Sequence, residues 1–221
     1  MATQTTLPLD TWLAIPWQEY EKAIASPLYE KAKSYFYQEH ARIEMSPVSL
    51  SHGRDHVLIV VAVSLFGALK VIPMTGLDTC TFRKAGFREC QPDAAYYLGV
   101  KANLMTAGTG IVNLDRSSVA EQYRYPAPDL VIEVAKTSLL DDLGTKRSLY
   151  EEIGVGEYWI VDVAKSEIIA YAMADQGSRK ISESIVLPGL PLNLLSEALD
   201  RSRTSDQSQV LAWLLSQFNN L

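Results

Sequence analysis

The chain is poor in the residues that staple small secreted domains: it has only two cysteines, Cys80 and Cys90, among 221 residues. They lie in neighbouring segments, where they can face each other across a hairpin. A reducing cytosol would keep them as reduced, buried thiols, and that is the expectation here. With three histidines beside them, little is available for a structural zinc site. Uninterrupted apolar runs of about 18 residues, the length that spans a bilayer, are lacking too. The opening MATQTTLPLD has neither the basic flank nor the apolar stretch of a secretory signal. These absences predict a soluble cytoplasmic protein with no membrane partner. Excess positive charge is also missing: 20 Lys and Arg against 26 Asp and Glu leave a net charge of −6. That argues against a protein that coats nucleic acid through bulk electrostatics. It leaves room for a nuclease, because an acidic site takes up a metal before it approaches phosphate, and a basic groove can be local. Candidates for such a groove are Arg83, Lys84, Arg88, Lys136, Lys146 and Arg147.

What is present is a chain with 48% apolar residues, long enough for one large domain with a substantial core. No repeat with a period of about 20–50 residues interrupts it. The expected division is a tail over 1–16, a domain over 17–200, and a polar connector, RSRTSDQSQ, leading to an amphipathic C-terminal helix, VLAWLLSQF, within 201–221. Trp17 to Ser26 reads as a short helix closed by Pro27. Lys33 to Met45 reads as a hairpin around Glu39-His40. A long helix follows Ser46-Pro47, with Val57, Val60, Val61, Leu65 and Ala68 at helical spacing and Ser49 or Ser51 as its cap. It is apolar on most sides, which places it against a sheet. Strands are predicted at Leu77 to Phe82, Asp93 to Leu98 and Asp129 to Val134. The thirty or so residues between the last two strands are long for a compact domain and make a candidate substrate-side loop or dimer contact. A helix over Asp141 to Ile153, ended by Gly154, precedes a strand pair, EYWIVDV and EIIAYAM. A strand IVLPGL and a helix over Leu194 to Leu199 complete a mixed α/β (α+β) fold with a central sheet.

Two Pro-Asp steps enter strands, at Pro92-Asp93 and Pro128-Asp129. The plainer account of each is a turn that begins a strand. Strand alternation, however, puts Glu133 on one face of an otherwise apolar segment. A carboxylate there is costly unless it is paired, hydrogen-bonded or metal-bound. If the strand from Asp93 runs alongside, Asp93 and Glu133 offer hard oxygen ligands to one cation, Mg²⁺ or Mn²⁺. Asp142, Lys146 and Tyr150 follow at four-residue spacing on one helix face. They read either as an ordinary ion pair with a packing aromatic, or as a lysine brought close to the two carboxylates to orient water and stabilise charge on phosphate. His52, in the first turn of the long helix, is a candidate phosphate contact or proton carrier, or else a plain surface residue.

Together, RIEMSP followed by His52, QPDAAYYL and PDLVIEVAKTSLLDDLGTKRSLYEEIGVGEYWIVDV closely resemble the Uma-two family, a branch of the PD-(D/E)xK nuclease superfamily typified by restriction endonucleases. The match runs over roughly residues 17 to 195. The resemblance implies a restriction-endonuclease-like core, a mixed sheet flanked by helices, and hydrolysis of phosphodiesters, with DNA as the partner and a homodimer as a possible assembly. It aligns Glu44 with the family's early acid, Asp93 with the motif Asp and Glu133 with the second acid. Asp93 and Glu133 are then the metal ligands, and His52 and Lys136 the substrate-side residues. The sequence departs from the pattern at Ala135, where the motif carries lysine. Lys136, one step on, points to the opposite face, so Lys146 on the following helix is the candidate replacement. A catalytically inactive module that keeps the fold and binds nucleic acid or a protein partner is the alternative that Ala135 favours.

Overall fold

The computed structural model describes residues 6–45, 49–105, 111–114, 125–174 and 177–221. Half of the candidate substrate-side loop, at 106–110 and 115–124, lies outside the described residues. In chain order the strands and helices are β1 (Leu13–Ala14), α1 (Trp17–Ile24), β2 (Ala32–Tyr37), β3 (His40–Met45), α2 (Leu50–Leu69), β4 (Met74–Asp78), β5 (Phe82–Lys84), β6 (Arg88–Cys90), β7 (Ala94–Leu98) and β8 (Val112–Asn113). They continue with β9 (Leu130–Ala135), α3 (Leu139–Asp141), α4 (Arg147–Ile153), β10 (Glu157–Asp162), β11 (Glu167–Ala174), β12 (Gly177–Ile181), α5 (Leu192–Arg201) and α6 (Gln207–Asn219). The result is a mixed α+β architecture with two six-stranded mixed sheets.

The chain forms two compact units. The first takes Met1–Pro47, Cys80–Gln91 and Thr109–Tyr125. Its sheet runs β1-β3-β2-β6-β5-β8. The β2–β3 hairpin turns at Gln38 and Glu39, both at positive φ. Trp17 and Tyr20 on α1 pack on Phe36 of β2, with ring centroids 5.1 and 5.0 Å away. Glu89 of β6 is buried and accepts hydrogen bonds from the Tyr20 hydroxyl at 2.7 Å, the Ser34 hydroxyl at 2.8 Å and the Arg83 guanidinium. A buried carboxylate is tolerated when its oxygens are satisfied in this way.

The second unit takes Val48–Thr79, Pro92–Gly108 and Pro126–Leu221. Its sheet runs β12-β11-β10-β9-β7-β4, with β9 and β10 parallel and every other neighbour antiparallel. One face carries Ala94, Tyr96, Leu130, Ile132, Val134, Trp159 and Val161, which form a single core with α2, α5 and α6. Ser49 caps α2, its hydroxyl accepting from the His52 N–H at 3.3 Å. By length and composition α2 is apolar enough to cross a membrane. Its Leu58, Ile59, Ala62, Val63 and Phe66 are instead buried in the core.

Three local readings need correction. The strand expected over Leu77 to Phe82 is two strands: β4 pairs with β7 in the second unit and β5 pairs with β6 in the first. Thr79, at φ 49°, breaks the run. The IVLPGL segment is a turn rather than a strand, because Glu157, fully buried in β10, gathers the N–H groups of Ile185 and Val186 and the Ser184 hydroxyl. The helix expected over Asp141 to Ile153 is interrupted by a wider π turn over Asp142–Lys146, centred on non-helical Gly144. It ends at Gly154 as expected, in the left-handed conformation that a Cβ disfavours.

At the C-terminal end, Val210, Leu214 and Phe218 of α6 are buried, with Phe218 edge-on to Phe66 of α2 at 5.2 Å. The preceding turn is anchored by Arg203, which forks onto the buried Asp55 carboxylate at 2.8 and 2.6 Å. Cys90 is buried and Cys80 half-buried.

Candidate active site

The two Pro-Asp steps bracket the β7–β9 ladder. Ala94 registers with Ile132, Ala95 with Val131 and Tyr96 with Leu130. One step further in the same register, Asp93 stands opposite Glu133. The carboxylate of Asp93 reaches across and accepts the Val134 N–H at 2.7 Å. Asp129 does the same in reverse, accepting the Leu98 N–H at 2.8 Å. Each aspartate therefore pins the neighbouring strand. What differs is the other oxygen. Asp129 turns Oδ1 to Lys101 at 2.7 Å, a half-exposed ion pair. Asp93, 3% exposed, has Oδ1 3.8 Å from His52 Nε2.

Glu133 is 2% exposed and lies on the face opposite the α2 core. Alternation carries Tyr158, Ile160 and Asp162 of β10 to that same face, through the Ile160–Glu133 and Asp162–Ala135 pairings. The α3–α4 segment supplies the polar partners. The Tyr150 hydroxyl donates to Glu133 Oε1 at 2.7 Å, and Lys146 Nζ lies 3.9 Å from the same oxygen. Lys146 is itself buried and sits 3.0 Å from Asp142 Oδ1, while Asp142 Oδ2 accepts from the Ser138 hydroxyl at 2.7 Å. Tyr150 packs on Tyr158 with ring centroids 4.8 Å apart.

The structure thus places His52 beside Asp93 and Lys146 beside Glu133, all four in the second unit. Lys146 approaches Glu133 from the π turn that precedes α4. The tyrosine contact was not read from the sequence. Its only signal was the spacing of Tyr150 four residues beyond Lys146. Glu44 belongs to the first unit, where it accepts from Arg42 Nε at 2.6 Å and registers opposite buried Lys33. Lys136 is exposed just past the end of β9.

Of the remaining groove candidates, Arg83 is committed to Glu89 and lies over the Trp17 ring at 5.6 Å. Arg147 lies over Tyr171 at 4.9 Å. Lys84 and Arg88 stand at the β5–β6 hairpin.

Among the described residues no three His, Cys, Asp or Glu side chains converge as a metal-binding group. The Asp93–Glu133 pair is the acidic donor set that remains. It fits Mg²⁺ better than a closed site would, because Mg²⁺ is commonly held by one or two carboxylates, with water and substrate phosphate completing its shell.

No curated protein matches the chain. Among solved structures, the fold is similar to that of a "putative nuclease belonging to DUF820" from Anabaena variabilis ATCC 29413, with a TM-score of 0.54 at 13% identity. That likeness covers 90% of this chain and 99% of the other, and at such identity it speaks to fold alone. The family model Uma2 (Uma-two), described as "Putative restriction endonuclease", matches residues 17–205. With the match extending over most of its length, the chain belongs to the Uma2 family.

Proposed function

We propose that the chain is a metal-dependent nuclease that hydrolyses phosphodiester bonds in DNA, with Asp93 and Glu133 as the residues that hold Mg²⁺ or Mn²⁺. The observation that carries this reading is the position of two buried carboxylates at the end of the β7–β9 ladder, Asp93 just before β7 and Glu133 within β9, with the buried Lys146 beside Glu133. When bound, the metal supplies Lewis-acid polarisation of the phosphodiester and a more acidic water.

The protein's own contribution is positional. The Val134 N–H fixes Asp93, and the Tyr150 hydroxyl fixes Glu133, so neither carboxylate has to reorganise when substrate arrives. Lys146, held in place by Asp142, orients the attacking water and offers positive charge where phosphate oxygen becomes more negative. His52, beside Asp93, is placed to carry a proton to the leaving oxygen or to contact phosphate. Glu44, which the family resemblance aligns with the early acid, lies in the first unit, and Lys136 is an exposed phosphate contact. We place this activity in the cytoplasm, where Cys80 and Cys90 stay reduced.

Plasmid nicking in Mg²⁺ or Mn²⁺ tests the reading. Wild type cuts, and Asp93→Asn and Glu133→Gln each lose most of the activity. Absence of cutting by wild type, or equal cutting by both variants, overturns it. Calorimetric titration with Mg²⁺ separates the inactive-module alternative, which the alanine at position 135 favours: a folded protein that takes up no metal at millimolar concentration is a binding module. Sedimentation tests the homodimer.

A further inference from the structure

The tip of the β5–β6 hairpin in the first unit carries a combination that the site above does not use. Its base is firmly built: Phe82, Cys90 and Glu89 are each 1% exposed, and Glu89 ties together Tyr20, Ser34 and Arg83. Its tip is the reverse. Phe87 is 61% exposed, one of the few aromatic rings the described residues present to solvent. A reverse turn closed by the Phe87 N–H on the Lys84 carbonyl at 3.0 Å projects it, with Gly86 at φ +80° and open space around that glycine. Lys84 Nζ lies 5.4 Å from the Phe87 ring centroid. Lys84 and Arg88 register directly opposite each other, and like charges in that position work against the strand pair.

From Arg83 to Arg88 the sequence RKAGFR holds three cations, one aromatic and no acid, in a chain whose net charge is −6. The hairpin is thus a short two-stranded ribbon that ends in an exposed apolar ring flanked by cations. Nucleic acid has the matching chemistry. Phosphates pair with the cations, a base offers a face for the ring, and the major groove admits a two-stranded ribbon.

We propose that this hairpin tip is a nucleic-acid contact in which Phe87 stacks on a base while Lys84 and Arg88 take adjacent phosphates. The proposal rests on the nuclease reading for the identity of its ligand. It is independent of that reading's metal site, because every residue it uses lies in the first unit.

The test is fluorescence anisotropy of the full chain with a labelled DNA duplex and a labelled single strand, in EDTA so that no cutting intervenes. Phe87→Ala weakens binding by roughly 5- to 100-fold, and Phe87→Trp retains it. Lys84→Gln and Arg88→Gln each flatten the dependence of log K on log salt by about 1. Phe87 is exposed, so circular dichroism of the alanine variant matches wild type.

If wild type binds and cuts DNA but Phe87→Ala binds within about two-fold of it, the proposal fails and the nuclease reading stands. If wild type neither binds nor cuts DNA, both fail. Association with phosphatidylserine vesicles that Phe87→Ala abolishes, with DNA binding unchanged, makes an anionic membrane the partner and overturns the proposal.

Discussion

Replacing Lys146 with methionine removes the one ammonium from a buried acidic cluster and keeps nearly the same length of side chain. Lys146 is 1% exposed, 3.0 Å from Asp142 and 3.9 Å from Glu133. Losing one partner of a buried pair costs about 3–5 kcal/mol, because the remaining charge stays in a low-dielectric setting. In a protein of this size each kcal/mol moves Tm by ~2–4 °C, so Lys146→Met is expected to melt roughly 6–20 °C below wild type. Adding Asp142→Asn removes one charge of each sign and should recover a large part of the loss, since replacing a whole buried pair is often close to neutral. Metal affinity and activity then move in opposite directions. If Asp93 and Glu133 hold Mg²⁺ as proposed, removing a competing cation should leave that affinity at least as high as in wild type, while the proposed nicking falls by about 10²- to 10³-fold. Thermal melts by near-ultraviolet circular dichroism, calorimetry with Mg²⁺ and plasmid nicking read the three quantities separately. A melting point within about 2 °C of wild type would refute the reasoning, since Lys146 would then not be the counter-ion of the cluster.

Tyr150→Phe withdraws the donor from buried Glu133 Oε1 and is expected to lower stability by about 1–3 kcal/mol in urea denaturation. Gly156→Ala places a Cβ 2.7 Å from the Asp129 carbonyl oxygen, a backbone atom that cannot swing aside. A loss of about 1–3 kcal/mol from overpacking should appear in the same assay. Alkaline pH tests the sheet's other face, where burial raises Tyr96 from its usual 10 to about 12 and Tyr20 in the first unit also shifts upward, mainly through burial and then through Glu89. The folded form keeps Tyr96 neutral where the unfolded chain has begun to ionise. Its stabilising contribution is therefore intact below pH ~10 and lost as pH rises through about 12. Urea midpoints at pH 9 and pH 11 should show this fall, and Tyr96→Phe should reduce it.

The parts of the fold legible in the sequence were those fixed by short-range pattern. Alternation along Leu130–Ala135 put Glu133 on a separate face from Ile132 and Val134, and the observed core takes only the latter two. The four-residue step from Asp142 to Lys146 foretold their ion pair, though a π turn intervenes. Less legible was anything set by a distant partner. Nothing near Ile185 announces that Glu157, 28 residues earlier, will draw its N–H into a turn and prevent a strand. Likewise Leu77 to Phe82 reads as one run, and pairing with β7 on one side and β6 on the other divides it. For the candidate site, the Asp93–Glu133 pairing required knowing which strands are neighbours, and periodicity alone does not supply that. The Tyr150 contact was hidden because an aromatic on a helix face looks the same whether its hydroxyl is used or not.

The chain's route through its two units limits how the protein can be dissected. It leaves the second unit after Thr79, runs Cys80–Gln91 through the first, and returns at Pro92, one residue before Asp93. No contiguous fragment contains the Asp93–Glu133 pair together with β4 and α2 and omits the β5–β6 hairpin. A truncation that begins at Val48 would keep that hairpin while discarding β2, the strand it pairs with through Phe36 and Tyr37. To separate the proposed cleavage site from the proposed hairpin contact, a designer would have to splice Thr79 to Pro92 with a short turn rather than trim an end. Asp78 and Ala94 already face each other across the β4–β7 ladder, so the ends to be joined lie close together and the graft needs only a few residues.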